Sequence, residues 1–254
     1  MNSIRKSLYR FAAAAQRIIA PGLRNSQYLY RDLLLSQMTP ETRWLDLGCG
    51  HQVVPDWMPD AKSVEHEMLG RCGFAVGIDG DLWSLEQNRL LLRKLRGNIE
   101  RLPFADGSFN LVTANMVIEH VRAPEALLAE VRRVLAPGGV FLFHTPNARS
   151  YATVGANLLP GFVRTKMVYL LQARRAEDVF PTFYQMNRPK TVESLSDAGG
   201  FKLKELRLVE SSAQTVMLGP VVILELAWIA ALRSNALRNF RTNIIAQLQK
   251  PCAS

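Results

Sequence analysis

Apolar and polar residues alternate along the middle of the chain in blocks whose lengths suit strands and helices in turn. Short apolar runs predict buried strands near 43–48, 74–79, 110–115 and 139–145. Longer mixed segments between them predict helices at 81–95 and 124–135. This alternation favours an α/β fold with a doubly wound, mostly parallel sheet and helices on both faces, whose ligands bind at the carboxyl ends of the strands.

The pattern breaks after Asn147 and returns near residue 190. Aromatic residues and arginines mark the intervening segment, 147–189: Tyr151, Arg164, Tyr169, Arg174, Arg175, Phe180, Phe183 and Tyr184. A predicted helix at Thr191–Ala198 and a predicted strand at Phe201–Val209 then resume the α/β alternation.

The two ends of the chain have a different character. Ile4–Ala20 predicts a helix with one basic and one apolar face, and no acidic residue precedes Asp32. Three interpretations of this helix stay open: peripheral contact with anionic lipid or another acidic surface, a solvated cap on the core, and an organelle transit peptide. Its apolar stretch is short and interrupted by arginine, so we do not expect a secretory signal.

Val216–Leu232 is strongly apolar but contains Glu225. A charge near the centre of a membrane span costs about 2.5 to 3.5 kcal/mol, which disfavours a transmembrane helix. Two interpretations remain, a buried C-terminal helix and a hydrophobic flap that docks on a membrane or an apolar acceptor. In the second, Arg233, Arg238 and Arg241 would face phosphates.

Candidate chemistry begins with the first strand, Trp-Leu-Asp-Leu-Gly-Cys-Gly at 44–50. A strand that stops on Gly48-x-Gly50 lets a ligand approach bare backbone. The next strand ends on Asp79, where a carboxylate would hold the ribose hydroxyls of an adenosine-type ligand. A dinucleotide oxidoreductase shares this plan, but its fingerprint requires a glycine where this chain has Val53.

Further motifs follow in order: Leu-Pro-Phe-Ala-Asp-Gly-Ser-Phe at 102–109, Glu-His-Val at 119–121 and Ala-Pro-Gly-Gly-Val-Phe-Leu-Phe at 136–143. The ordered set resembles class I S-adenosylmethionine-dependent methyltransferases, particularly the quinone-biosynthesis type. The likeness covers about residues 40–146 and, less clearly, 190–210. It implies a Rossmann-like fold, S-adenosylmethionine as cofactor, and methyl transfer to an O, N or C atom of a small, apolar or lipid-linked acceptor.

The resemblance also implies cofactor contacts for Asp46, Gly48, Cys49, Gly50, Asp79, Gly80, Asn98, Ile99 and Asn115. The residues of the first turn would line the methionine end of the cofactor, and Asp79 would take both ribose hydroxyls. Asn98 and Ile99 would meet the adenine, and Asn115 would lie beside the amino group and the sulfonium. In this family an insertion after the fifth strand commonly covers the acceptor, so 147–189 is the candidate lid; its aromatics could equally form a small core of their own.

Departures from the family pattern affect the first turn and the adenine contact. His51–Pro55 follows Gly50 where a third glycine is usual, and Asn98 and Asn110 replace common acids. An amide still accepts a hydrogen bond from the adenine amino group. The interval from Gly50 to Asp79 exceeds the roughly 20 residues of a minimal unit, which predicts an insertion at Val53–Lys62 before the first crossover helix.

Two histidines are candidates for a general base. His120 and His144 follow the fourth and fifth strands, and a histidine with an ordinary pKa near 6.5 can remove a proton from an acceptor hydroxyl. Local packing is the alternative for both, because methyl transfer from a sulfonium often needs only proximity and alignment. His51 and His66 have no ligand partners at useful spacing, so we expect no metal site.

Length and composition, with 48% hydrophobic and 21% charged residues, suit a single domain over 1–254, which the resemblance implies is a methyltransferase domain. Its expected parts are a basic helical cap, the cofactor-binding core, the lid, a return to the core and a helical C-terminal extension that is first apolar and then basic: 1–35, 40–146, 147–189, 190–210 and 211–254. Three cysteines without paired spacing are consistent with a reducing, cytoplasmic compartment, with peripheral attachment to a membrane left open.

A net charge of +9 and a pI near 9.8 raise a nucleic-acid-binding or RNA-methylating alternative. The basic residues lie mostly at the termini without aromatic residues between them, so we do not expect a nucleic-acid partner. A further alternative is a methyltransferase-like partner subunit that has lost catalysis. The retained Asp46 and Asp79 argue against it. The acceptor's identity and the oligomeric state stay open.

Overall fold

A computed structural model describes residues 3–88, 90–158 and 180–252 of the chain. Its strands are β1 (Arg43–Leu47), β2 (Phe74–Asp79), β3 (Lys94–Arg96), β4 (Phe109–Asn115), β5 (Leu135–Pro146), β6 (Lys202–Val209) and β7 (Asn243–Gln249). Its α-helices are α1 (Ser3–Ile19), α2 (Ser26–Ser36), α3 (Ala61–Arg71), α4 (Leu82–Gln87), α5 (Pro124–Val134), α6 (Tyr151–Leu158), α7 (Pro189–Ala198) and α8 (Val221–Ala231).

The strands form one mostly parallel sheet in the order β3-β2-β1-β4-β5-β7-β6. β1 pairs in parallel with both β2 and β4, so the carboxyl ends of these three strands meet at one edge. Trp44, Leu45 and Leu47 of β1 are buried, as are Phe141 and Phe143 of β5. Such continuous apolar strands are what a sheet covered on both faces requires. The predicted Rossmann-like α/β fold is confirmed.

The chain divides into two compact units. The sheet unit contains the described residues of 27–145, 182–207 and 244–254, and the helical unit those of 1–26, 146–181 and 208–243. Of the predicted lid, Phe183 and Tyr184 belong to the sheet unit and Tyr151 to the helical unit. Arg164, Tyr169, Arg174 and Arg175 lie outside the described residues.

The helix predicted over 81–95 is wrong in its second half, because α4 ends at Gln87 and β3 follows. Asn88 is fully buried; its Oδ1 accepts from the amides of Leu90 and Leu91, and its Nδ2 donates to the Gly50 carbonyl at 3.0 Å. Side-chain bonds of this kind satisfy backbone groups outside a helix and so compete with it. Leu91 is buried as a loop residue, which explains the misleading apolar pattern.

The sequence analysis also missed β7, which lies in the extension predicted as helical. Its backbone partners are remote in sequence, since the Gly138 amide donates to the Lys250 carbonyl and the Lys250 amide to the Gly139 carbonyl, both at 2.9 Å. Ile244 and Ile245 are buried. The local pattern of a short apolar run gives no information about pairing over such a separation.

The helical unit explains how α8 accommodates Glu225. The Oε1 atom accepts from the Tyr151 hydroxyl at 2.7 Å and the Gln214 amide at 2.8 Å, and Oε2 accepts from the amide and hydroxyl of Thr215 at 2.7 and 2.6 Å. Burial, with Glu225 adding to it, raises the pKa of Tyr151 well above its ordinary value. A buried acid is tolerated when its oxygens are hydrogen-bonded. Within the described residues, no helix is both long and apolar enough to cross a bilayer.

We expect Glu225→Ala to destabilise the protein by about 2 to 4 kcal/mol, because partly buried donors lose their common acceptor. The midpoint of urea unfolding, followed by circular dichroism, measures the loss. Glu225→Gln keeps one acceptor oxygen and should lose clearly less stability. Equal midpoints for wild type and Glu225→Ala would contradict the role assigned to this carboxylate.

Candidate active site

A tight turn follows β1, built on Gly48 and Gly50 with φ angles of 62° and 49°. The amides of Gly48 and Cys49 donate to the Ile78 carbonyl at 2.7 and 3.2 Å, which ties the turn to β2. A Cβ on Gly48 would lie 2.4 Å from Cγ2 of Val117, so this position admits no side chain. The turn therefore presents bare backbone, as the sequence predicts.

Asp79 ends β2 beside this turn. Its Oδ2 accepts from the Gly50 amide at 2.9 Å, and its Oδ1 accepts from the Asp81 amide at 2.8 Å. A carboxylate has about four lone-pair sites, so both oxygens keep capacity for a second donor. Gly80 is exposed, and a Cβ there would meet nothing nearer than the Gly97 carbonyl oxygen at 4.0 Å. A fixed acid next to open backbone suits a vicinal diol such as a ribose.

Asp46 is buried near the end of β1. Thr113 donates its hydroxyl to Asp46 Oδ1 at 2.6 Å, and the Trp44 indole donates to Thr113 Oγ1 at 2.7 Å. Burial raises the pKa of Asp46 to about 7, with smaller contributions from the charges of Asp79 and Glu65. These three acids surround the glycine turn with negative potential, which favours a cationic ligand.

Cys49, between the two glycines, fills space against β2. A Cβ on Gly77 would lie 2.6 Å from Cys49 Sγ, so the thiol takes the place of a side chain at Gly77. Burial raises the pKa of Cys49 well above its ordinary value, and the thiolate needed for nucleophilic chemistry is suppressed. The geometry favours packing as the role of Cys49.

Two buried residues that the sequence analysis missed, Glu65 and Asn88, stabilise the glycine turn and the loop after it through hydrogen bonds to the backbone. Glu65 of α3 accepts from the amides of Val53 and Val54 at 2.8 and 2.9 Å, which fixes the insertion after the turn. The side-chain amide of Asn88 donates a hydrogen bond to the Gly50 carbonyl. Sequence offers a weak signal for Glu65, namely two consecutive valines in a loop whose backbone must find partners if they are buried.

Asn98 and Ile99, the predicted adenine contacts, follow the short strand β3. Asn98 is exposed and its Oδ1 accepts from the Glu100 amide at 2.8 Å, whereas Ile99 is half-buried. The loop beyond them is anchored by Arg133 of α5, which donates to the carbonyls of Leu102 and Phe104 at 2.9 and 2.6 Å. The Leu-Pro-Phe motif thus has a fixed path beside the carboxyl end of β3.

A second polar cluster lies at the carboxyl ends of β4 and β5. Asn115 and Gln27 exchange side-chain hydrogen bonds at 2.9 and 3.2 Å, and His144 Nδ1 lies 2.9 Å from Asn115 Oδ1. The buried ring of Tyr30 stacks on His144 with centroids 5.5 Å apart. Burial lowers the pKa of His144 to about 3, so its ring stays neutral near pH 7.

The two predicted bases therefore differ in environment. His144 is buried and bonded to Asn115, and its low pKa makes it a poor proton acceptor, which favours a role in orienting Asn115. The His120 side chain is 31% exposed, with Nε2 4.0 Å from Oε1 of the buried Glu119. Glu119 is held in turn by the Thr145 hydroxyl at 2.9 Å. Of the two, His120 has the access that a general base needs.

All the predicted cofactor residues lie in the sheet unit, at the carboxyl ends of β1 to β4. Comparison with known proteins agrees with this site: the profile of a methyltransferase domain family matches residues 11–205. The chain belongs to this family and contains a methyltransferase domain of the class I S-adenosylmethionine-dependent type, whose cofactor is S-adenosylmethionine.

Individual relatives match part of the chain. A probable S-adenosylmethionine-dependent methyltransferase of Mycolicibacterium smegmatis is 29% identical over 141 residues, 52% of this chain and 51% of that protein. A demethylmenaquinone methyltransferase of Mycobacterium sp. (strain KMS) is 44% identical over 119 residues, 45% and 47% of the two. The chain spans about a third to a half of the length of the curated relatives that it matches first.

Among solved structures, a putative methyltransferase of Haloferax volcanii, in complex with its Trm112 activator, has a TM-score of 0.57 and covers 99% of both chains. At 17% identity this likeness concerns the fold. The nucleic-acid and inactive-subunit alternatives find no support in these comparisons.

The raised pKa of Asp46 predicts pH-dependent cofactor binding. A cationic ligand prefers the ionised carboxylate, so affinity for S-adenosylmethionine should fall about fivefold from pH 7 to pH 6 as Asp46 takes up a proton. Calorimetric titration at several pH values measures this. Asp46→Asn should bind more weakly and lose the dependence, whereas Asp197→Asn, at an exposed position of α7, should keep it. An unchanged slope in Asp46→Asn would assign the titration to another group.

Proposed function

We propose that this chain catalyses methyl transfer from S-adenosylmethionine to a small, apolar acceptor. The observation that carries the proposal is the hydrogen bond from the Gly50 amide to Asp79, which joins the glycine turn and the ribose-binding acid into one preformed site. Because the glycines have no side chains, the ligand can approach the backbone closely. Asp79 can still accept hydrogen bonds from the two ribose hydroxyls.

The charge of the site suits the donor. Bound S-adenosylmethionine supplies an electrophilic methyl group on a sulfonium, and its amino group is a second cation. Asp46, Asp79 and Glu65 provide the opposing negative charge. Asn115, oriented by His144 and Gln27, would hold the amino end with its amide group.

The acceptor class is proposed from a relative and not from a formed pocket. The cavity beside the turn, about 10 Å³, is lined by Gln27 and Arg31 as well as by apolar residues such as Tyr30 and Met58, and it is only the size of a water molecule. One of the relatives is named a demethylmenaquinone methyltransferase, which is in line with an apolar aromatic acceptor. We infer that a hydroxylated aromatic ring with an apolar substituent is the acceptor class.

Proton removal is assigned to His120. When an acceptor hydroxyl forms its bond to the methyl carbon, the electron pair of the carbon–sulfur bond leaves with sulfur and the hydroxyl proton must be taken up. The ring of His120 is accessible and can take up this proton, and its Nε2 lies 4.0 Å from Oε1 of the buried Glu119.

The first test is binding. We expect Asp79→Ala to weaken binding of S-adenosylmethionine and S-adenosylhomocysteine by at least about tenfold, because it removes charge-assisted hydrogen bonds. Calorimetric titration of the purified protein measures this, with Asp197→Asn as the matched acid control and NAD as the control ligand. A preference for NAD, or equal affinities in Asp79→Ala and wild type, would refute the proposed site.

The second test concerns the base. With alkyl-substituted hydroquinones as acceptors, His120→Gln should lower kcat by about 100-fold. The assay follows formation of S-adenosylhomocysteine, and binding of the cofactor should be unchanged. A wild-type kcat in His120→Gln would contradict the role of His120 as the base, and methyl transfer would then need only proximity and alignment of the reactants.

A further inference from the structure

The outer face of α8 is entirely apolar although it is exposed. Leu224 is 73% exposed, and Val221, Ile223 and Trp228 are exposed beside it. The only charged residue of the helix, Glu225, points inward and is saturated by hydrogen bonds within the helical unit. This is the reverse of an ordinary surface helix, whose polar face meets water.

α1 lies alongside α8 and packs against its buried side. Ala12 and Ala20 pack with Val222, Leu226 and Ile229 in one buried cluster. A Cβ on Gly219, before α8, would lie 3.8 Å from Leu8 Cδ2, and Arg233, after α8, donates to the Pro21 carbonyl at 2.8 Å. The two helices therefore run in parallel, with corresponding ends together.

α1 contributes its own exposed apolar row. Ile4, Phe11 and Ile18 are spaced by seven residues, which places them on one side of the helix, and all three are exposed, Ile18 by 82%. We call the exposed residues of these two helices the α1–α8 surface. Isolated exposed apolar residues are ordinary, but four on one face of α8 and a row of three on α1 are more than scattered exposure and mark candidate contact residues.

The charge around this surface has one sign. The described residues of the helical unit include these basic residues: Arg5, Lys6, Arg10, Arg17, Arg24, Arg149, Arg233, Arg238 and Arg241. They include two acids: Glu225 is buried, and Glu210 pairs with Arg241 at 3.2 Å. In this part of the chain no exposed acid offsets the basic side chains.

We propose that the α1–α8 surface binds the interface of an anionic lipid bilayer. Leu224 and Trp228 enter the boundary between headgroups and acyl chains, and Lys6, Arg10 and Arg17 meet the lipid phosphates. A second copy of the chain would bring like charges together, and a nucleic acid would leave the apolar face in water. The inference does not depend on the methyl-transfer proposal.

Co-sedimentation of the full chain with vesicles tests the charge requirement. We expect binding to phosphatidylcholine vesicles with about a third phosphatidylglycerol, and little binding to pure phosphatidylcholine. The Lys6→Gln, Arg10→Gln, Arg17→Gln triple variant should reduce the partition coefficient at least about tenfold, since each basic residue near the surface contributes about fivefold. The matched control Lys62→Gln, Lys202→Gln, Lys204→Gln, on exposed residues of the sheet unit, should leave it unchanged.

Apolar insertion needs its own readout. Leu224→Gln should reduce partitioning about tenfold, while Leu92→Gln, at a 90% exposed position of the sheet unit, should not. Lipids brominated on their acyl chains should quench tryptophan fluorescence in wild type, and Trp228→Phe should remove most of the quenching. Thermal unfolding midpoints of all variants, followed by circular dichroism, check that each one folds.

Three results would overturn the proposal. Equal partition into anionic and neutral vesicles would remove the charge argument. A concentration-dependent dimer that Leu224→Gln dissociates would assign the surface to a second copy. Binding of an RNA oligonucleotide that depends on Lys6, Arg10 and Arg17 but not on Leu224, with no vesicle binding, would assign the basic residues to nucleic acid.

Discussion

The hydrogen bond between the Gly50 amide and the Asp79 carboxylate is the constraint on which the candidate site depends. It can form only because β1 and β2 pair in parallel and end together, and because Gly48 and Gly50 take positive φ angles. The Asp79 carboxylate thereby acquires a fixed position before any ligand arrives. A preorganised acceptor does not have to be ordered on binding, so less of the interaction energy with a ribose is lost.

At other points of the chain, acidic side chains fix loops in the same way, by accepting neighbouring backbone amides. Glu65 holds Val53 and Val54, and Glu225 holds Gln214 and Thr215. Glu100 similarly accepts from Arg122 and Ala123 at the start of α5. Hydrogen bonds to charged groups contribute about 1.5 to 3 kcal/mol each, enough to hold a loop without a regular element. The same interaction, a carboxylate that accepts from backbone amides, shapes the glycine turn and accommodates an acid inside an apolar helix.

The sequence predicts features that depend on local pattern and misses those that depend on remote partners. The strands β1, β2, β4 and β5 contain short, mostly apolar runs, and the Gly-x-Gly turn needs no tertiary information to recognise. By contrast, Asn88 ends α4 through bonds to Gly50 and Leu91, and β7 is defined by pairing near Gly138. A buried amide and a strand pairing between residues remote in sequence leave no periodic signal, because their partners are set by the fold.

Glu225 leads to different conclusions about the surface of α8 in the sequence and in the structure. In the sequence, a charge within Val216–Leu232 argues against a membrane span and favours a buried helix. In the structure the carboxylate is indeed buried, but it turns inward and leaves an apolar face outward, with Leu224 and Trp228 exposed. Because Glu225 binds loop amides on the inner side of α8, the outer surface of the helix carries no charged residue. A helix of 11 residues, too short to span a bilayer, can by this arrangement still present a wholly apolar face.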